Sequence, residues 1–283
     1  MEWLERLNSA LNYIEDNLNG DIEYEKAAKI ACCSVYHFQR MFSYIAGVSL
    51  SEYIRNRRIT KAALDLQNGE KVIDVAMCYG YESPTAFTRA FKKIHNVSPS
   101  NAQKEGTILK AYPPISFKIT IKGVVEMNYS IVKREEIRIV GVKASLSNDI
   151  EKNFKQVPKL WDEVSISGKI NEIVELMNKN SKGVLGVCCT CMEKVSDWSY
   201  YIAVETDKEI PVGMDEYIIP ACTWAIFSGE GEMPIAIQEV EKRAITEWLP
   251  TSGYEYADAP DIEVYLNKDP KNAKFEVWIP IRK

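Results

Sequence analysis

A five-residue pattern occurs twice in the chain, 49 residues apart: FQRMF at residues 38–42 and FTRAF at residues 87–91. The same offset pairs Ala27 with Ala76, Ser34 with Ser83, Arg40 with Arg89, Val48 with Val97, Ser49 with Ser98 and Ser51 with Ser100, with no slip or gap. A fixed period of this length marks a repeated supersecondary unit. In the first copy Phe38, Met41, Phe42 and Ile45 recur at spacings of three and four and form a core stripe; Tyr36, Gln39, Arg40 and Ser43 fall on the other side. In the second, Phe87, Ala90, Phe91 and Ile94 make the stripe, and Thr85, Thr88, Arg89 and Lys92 face out. Ser34 and Ser83 stand where helix N-caps belong, and Pro84 follows at the first helical position, where its missing N–H is harmless. A short helix containing an Ala precedes each copy, followed by a tight turn. Short helix, turn and longer helix with a polar, basic outer face is the helix-turn-helix arrangement.

That arrangement suits DNA. A helix fits the major groove, where an exposed Gln pairs with adenine and an Arg with guanine or phosphate. Two such helices about one turn of DNA apart can read successive groove segments. A helix-turn-helix shape alone also occurs in proteins that never touch DNA; two copies in register, both with the Arg, favour the DNA reading. The intervening LSEYIRNRRITKAALDL would set their spacing. Its Arg55, Arg57 and Arg58 are read either as phosphate contacts or as a solvated face with local ion pairs. Charge agrees with a local contact: residues 36–93 hold nine basic against five acidic side chains, net +4, inside a chain of net charge −5. Residues 1–35 carry −4 and residues 113–283 carry −6, which argues against non-specific nucleic-acid binding by the whole chain.

Residues 1–105 contain only Pro84 and Pro99 and read as helices over 3–18, 22–31, 34–46, 50–66, 71–78 and 83–95, with a short one after Pro99. Around Tyr112-Pro113-Pro114 helix is disfavoured on both sides, and β-branched runs such as SFKITIKGVV follow. The boundary is placed near residue 108. Beyond it the pattern predicts strands near 127–134, 137–146, 184–191, 199–206, 222–228, 261–266 and 274–282, and helices over 150–164 and 234–249. This is an α+β domain with a largely antiparallel sheet, its strand–helix–strand–strand order occurring twice. At 283 residues the chain has room for two such domains.

No apolar run approaches the roughly 20 residues that span a bilayer. The N-terminal MEWLERLNSALNYIEDNL is an acidic amphipathic helix in pattern, not a signal peptide, so cytoplasmic residence is expected, without membrane contact. Seven cysteines, with Cys32-Cys33 adjacent and Cys188-Cys189-x-Cys191 clustered, do not make a disulfide framework. The clustered three could suggest a soft metal site, but they sit in a strand-like run, VLGVCCTC, where successive side chains point to opposite faces. They are read as small buried hydrophobes; neither metal nor cofactor is expected.

SLSEYIRNRRITKAALDL followed by KVIDVAMCYGYESPTAFTRAFKKIHNVSPSNAQ resembles the signature of the AraC/XylS family of bacterial transcription regulators, and LNYIEDNL and YHFQRMF resemble its Rob-type subgroup. The resemblance covers about residues 3–105. It implies a seven-helix DNA-binding domain over 1–107 with two helix-turn-helix units. Tyr36, Gln39 and Arg40 would then contact bases and backbone from the first recognition helix, and Pro84, Thr85 and Arg89 from the second, with Lys92 and Arg55 as further contacts. The implied partners are double-stranded promoter DNA and RNA polymerase; two units within one chain favour a monomer on an asymmetric site over a dimer.

The acidic remainder holds five of the six tryptophans, Trp161, Trp198, Trp224, Trp248 and Trp278. In PDIEVYL, residues 260–266, a strand would turn Ile262 and Val264 one way and Glu263 and Tyr265 the other. Such a Glu is either exposed at an edge or placed in a cavity, and pattern alone favours exposure. The segments IPACTWAIFSGEG, TEWLPTSGYEYADAPDIEVYL and FEVWIPIRK resemble the GyrI-like small-molecule-binding fold over about 125–283, after a linker at 108–124. That resemblance implies two strand-helix-strand-strand modules with a ligand cleft between them, Glu263 in an aromatic-lined pocket, and a small lipophilic cation as effector. Tyr265, Trp161, Trp224, Trp248 and Trp278 are candidates for the lining, and each is equally an ordinary core aromatic. Two rivals remain: a hydrolase of strained cyclopropanoid rings with the Glu as base, and a docking module that binds no small ligand.

Overall fold

The computed structural model describes residues 2–118, 126–147, 149–190 and 198–283; part of the expected linker and Cys191 lie outside them. The helical part comprises α1 (Glu2–Asp16), α2 (Tyr24–Ile30), α3 (Val35–Ala46), α4 (Leu50–Gln67), α5 (Val72–Cys78), α6 (Pro84–His95) and α7 (Pro99–Ala102). Both repeated helices start at the expected serines: Ser34 Oγ accepts from the His37 amide and Ser83 Oγ from the Ala86 amide, each at 3.2 Å. They end alike too, at left-handed residues Gly47 and Asn96, with φ of 71° and 61°. Asn is among the few non-glycine residues that adopt this conformation readily.

The two helix-turn-helix units have separate cores. Phe87 and Phe91 pack with Ile59, Leu66 and Tyr79. Phe38, Met41 and Phe42 pack with Leu11 and Ile14 of α1. Helix α4 runs through both cores, contributing Leu50, Tyr53 and Ile54 to one and Ile59 and Leu66 to the other.

The remaining strands are β1 (Tyr129–Arg134), β2 (Ile137–Leu146), β3 (Val184–Thr190), β4 (Trp198–Glu205), β5 (Asp215–Ile219), β6 (Cys222–Gly231), β7 (Glu255–Tyr256), β8 (Asp261–Tyr265) and β9 (Ala273–Arg282). Between them lie α8 (Ile150–Ile166), α9 (Lys169–Leu176), and α10 (Ile235–Arg243), which continues through a π turn (Ala244–Trp248) into α11 (Leu249–Ser252). The strands described form one sheet in the order β1-β6-β9-β8-β3-β4-β2-β5, with β7 alongside β9. Every pairing is antiparallel. From the central β8–β3 pair the order reads outward as β3, β4, β2, β5 on one side and β8, β9, β6, β1 on the other. Strand–helix–strand–strand therefore occurs twice, as β2-α8/α9-β3-β4 and β6-α10-β8-β9. The short α9, β5 and β7 were not foreseen.

Period-two alternation splits the sheet's residues between two faces. Cys188 and Cys189 illustrate it: the first joins the core under α8 and α9, the second the core of the opposite face. The core of α1–α3 is continuous with Phe227, Phe275 and Val277 of the sheet and includes Phe117. The first helix-turn-helix unit is thus packed onto the sheet, while the second stands on a core of its own. Among the described residues no helix is long and apolar enough to cross a membrane.

Candidate functional site

Strand β8 lies between β3 and β9, so Glu263 is at no sheet edge. Edge exposure, which the sequence pattern favoured, is overturned by this pairing. Glu263 turns toward the helices and into a cavity of about 760 Å³. The volume lies within the range of roughly 300–1,000 Å³ typical of small-molecule pockets. Apolar walls come from Phe154, Val157 and Trp161 of α8, Val174 of α9 and Ile237 of α10.

The carboxylate is held on one oxygen. Tyr200 Oη donates to Glu263 Oε2 at 2.6 Å and Tyr265 Oη donates to the same atom at 3.0 Å. Trp161 Nε1 in turn donates to Tyr200 Oη at 3.0 Å. Room for this cluster comes from Gly186, directly opposite Glu263 on β3. A Cβ there would stand 2.1 Å from Tyr200 Oη and 2.7 Å from Glu263 Oε2. Burial pushes the Glu263 carboxyl above its ordinary range, although Tyr200, Arg40 and Tyr265 each draw it back. Burial, then the neighbouring Glu263, raises both tyrosine hydroxyls well above normal, so they remain donors.

The structure brings Trp161, Glu263 and Tyr265 together and leaves the other three expected tryptophans elsewhere. Strand register gives the reason. Val277 is opposite Glu263, so the adjacent Trp278 points to the other face, opposite Ile262. Ile226 is opposite Trp278, which puts Trp224 on that face as well. The two indoles meet at 6.0 Å in the core that contains Ile262 and Val264. Trp248 packs instead on Tyr129 and Phe227, at 5.0 and 5.2 Å.

Two further carboxylates stand near Glu263: Asp261, two residues earlier on the same face of β8, and Glu241 of α10. They meet the polar side of α3. Arg40 Nη1 donates to Asp261 Oδ2 at 2.8 Å and to Tyr36 Oη at 2.9 Å, and the same guanidinium pairs with Glu241. Its carbon lies 5.5 Å from the Tyr36 ring centre and 5.7 Å from that of Tyr44. Tyr44 Oη donates to Glu241 Oε2 at 2.7 Å. His37 stacks on Tyr256 at 4.1 Å, its Nε2 3.3 Å from Asp261. Tyr36 meets Trp198 edge to face at 5.1 Å. Burial pushes the Asp261 carboxyl up, but His37 and Arg40 together hold it below its ordinary range.

Tyr36, Gln39 and Arg40 are accordingly buried. Thr85, Arg89 and Lys92 on α6 are exposed, as is Arg55 on α4. Of the neighbouring arginines, Arg57 forms a two-pronged pair with Glu15, and Arg58 donates to the carbonyls of Leu18 and Gly20. Both therefore tie α4 to the α1 end. Sequence reasoning did not find Tyr200, Gly186, Glu241 or Asp261 as parts of the site. A glycine inside a strand run, as in VLGVCC, is a signal of close approach that could have pointed to Gly186.

Two helix-turn-helix units beside a sheet domain with a carboxylate- and aromatic-bearing cavity define a class: transcription regulators that carry an effector-binding domain. Residues 27–105 match a helix-turn-helix domain family, HTH_18, and residues 130–281 match Cass2, the integron-associated effector-binding proteins. The chain is 38% identical over 109 residues to the multiple antibiotic resistance protein MarA of Escherichia coli (strain K12), covering 36% of this chain and 86% of MarA. It is 39% identical over 95 residues to the transposon Tn10 TetD protein of Escherichia coli, covering 33% of this chain and 69% of TetD. An integron cassette protein of Vibrio cholerae superposes on 54% of the chain and 95% of its own length, at 16% identity and a TM-score of 0.40. The chain belongs to the AraC-type helix-turn-helix transcription regulators, with an effector-binding domain of the Cass2, GyrI-like kind following the DNA-binding domain.

Proposed function

We propose that this regulator is a cytoplasmic protein that senses a small lipophilic cation around Glu263 and reads promoter DNA with α3 and α6. The observation that carries the effector reading is the Glu263 carboxyl at the floor of a largely apolar cavity. A buried carboxyl is held partly in its neutral form by desolvation, and a bound cation favours ionisation. Binding therefore brings a counter-charge to Glu263 itself, which Arg40 only partly offsets from one end of the cavity, while aromatic faces such as Trp161 and Tyr265 attract the same cation through their π systems. Apolar walls reject small hydrated ions and reward bulk.

On DNA, Gln39 and Arg40 would read base edges from α3, with Tyr36 beside them, and Arg89 from α6. Thr85, Lys92 and Arg55 would hold phosphates. Two reading helices in one chain fit a monomer on an asymmetric site, with RNA polymerase as the protein partner.

Intrinsic tryptophan fluorescence against tetraphenylphosphonium, wild type beside Glu263→Gln, tests the effector reading. Saturable quenching in the wild type, weakened on the order of tenfold or more in the variant, is expected. An equal response from both proteins would remove Glu263 from the site. The hydrolase alternative draws on the same raised carboxyl, which could serve as a general base. Mass spectrometry of the protein with a strained-ring substrate separates the two, since only hydrolysis consumes the ligand.

A further inference from the structure

The internal repeat supplies a comparison within one molecule. Helices α3 and α6 share caps, core stripe and arginine, yet their outer faces differ in accessibility. Tyr36, His37, Gln39 and Arg40 retain between 3% and 6% of their exposure. Thr85 and Arg89, on the matching face of α6, are exposed. The side of α3 assigned to DNA is therefore the side packed against the effector region.

What covers it is matched in charge. Arg40 lies between two tyrosine rings and is paired with Asp261 and Glu241. Aromatic faces with carboxylates beside an apolar chamber are what a lipophilic cation requires. Tyr36, Arg40, Glu241 and Glu263 all line the same cavity. A protein-borne cation thus already stands at one end of the chamber. The contact is also imperfectly satisfied: Arg40 Nε, Asp261 Oδ1 and the Tyr256 hydroxyl are buried without a hydrogen-bond partner among the described residues. Buried ion pairs carry a desolvation penalty that their attraction only partly offsets. Packing such as Tyr36 on Trp198 helps keep the arrangement closed when no ligand is present.

We propose that Arg40 is an intramolecular ligand of the effector cavity: while it holds Glu241 and Asp261, α3 cannot enter the major groove, and a cationic effector that pairs with Glu241, which lines the cavity, in its place releases α3 to DNA. This rests on the reading of the cavity and of α3 given above. Arg40 cannot face the carboxylates and the DNA at once, so effector and DNA favour the same open state and each strengthens the binding of the other.

The test uses the full chain, tetraphenylphosphonium as the cation and the DNA upstream of the protein's own gene. Hydrogen exchange across residues 35–46 and DNA affinity are measured in the wild type, with and without saturating cation, and in a Glu241→Gln/Asp261→Asn variant. In the wild type the cation is expected to raise exchange in α3 and tighten DNA binding at least tenfold. The variant should show both changes without cation. If saturating cation leaves α3 exchange and DNA affinity of the wild type unchanged, the proposal fails, and this arm decides even if the variant does not fold. Increased α3 exchange in the variant with no gain in DNA affinity also overturns it. Tryptophan fluorescence reports cation occupancy in the same samples, and Arg89→Ala reports DNA reading through the uncovered helix. Loss of cation binding, or DNA binding indifferent to Arg89, overturns the underlying readings. Intact occupancy and Arg89 dependence with α3 unmoved overturn the lock alone.

Discussion

Gly186 faces Glu263 across β3 and β8, and the space left by its missing side chain is filled by the Glu263 carboxylate and the Tyr200 hydroxyl. Gly186→Ala is expected to displace both groups, cost roughly 1–3 kcal/mol of stability and weaken cation binding; urea unfolding and fluorescence titration check the two effects. The raised Glu263 carboxyl gives two pH dependences of opposite sign. Folding favours its protonated form, so that contribution to stability is whole below the ordinary carboxylate pKa and is lost as pH rises through the raised one. Cation affinity should instead increase with pH through the same window and level off above it. Asp261, held below its ordinary range, stays ionised there. Calorimetric titration across that window checks the sign, and Glu263→Gln should abolish the slope. That Glu263 and Tyr265 share a face was legible from alternation along a short strand, but that the face borders a cavity was not, since pattern alone favoured exposure and only the family resemblance implied a pocket. Nor was Tyr200 legible, because pairing between β3, β4 and β8 brings it to Glu263 from 63 residues away. Trp224 and Trp278, read equally as pocket lining or as core, proved to be core; an indole's face is set by strand register, which aromatic content alone does not reveal.

Among the N-terminal helices α3, α4, α6 and α7 open on serine caps, at Ser34, Ser49, Ser83 and Ser98, and together with the 3.6-residue apolar stripe these made the helical part readable. Strand β2 was bounded as expected, at Ile137–Leu146. The two-residue β7 is too short to establish a period, and β5, no shorter than the foreseen β8, is mostly exposed and lacks an apolar alternation. The expected helix over 234–249 is interrupted by a π turn at Ala244–Trp248. Nor could the sequence show that the polar side of α3 is covered, because Asp261 meets Arg40 from 221 residues away. The separate cores give an expectation of their own. Phe87→Ala should cost about 3–5 kcal/mol within the α4–α7 core, weakening DNA binding while leaving cation binding in place. Phe42→Ala acts in the core shared with the sheet and should disturb both. Hydrogen exchange resolved by segment distinguishes these outcomes: a loss of protection confined to α4–α7 in the Phe87 variant is expected, and a uniform loss would contradict the division.

Across the whole molecule the charge is divided by function. The recognition segment is basic within an acidic chain, so DNA affinity should fall steeply with added salt. Cation binding to a buried carboxyl in a largely apolar cavity should respond much less. Each expectation can be read from titrations at two ionic strengths. Residues 130–281 and 27–105 fall in two families that match separately, and the lock proposed at Arg40 would couple them. The direct measurement is a pair of titrations on the intact protein: upstream DNA with and without saturating tetraphenylphosphonium, and tetraphenylphosphonium with and without saturating DNA. Linkage requires the two affinity ratios to be equal. The account expects the shared ratio to exceed one, each ligand tightening the other. Saturable binding of both with a ratio of one would show two independent modules on one chain and contradict it.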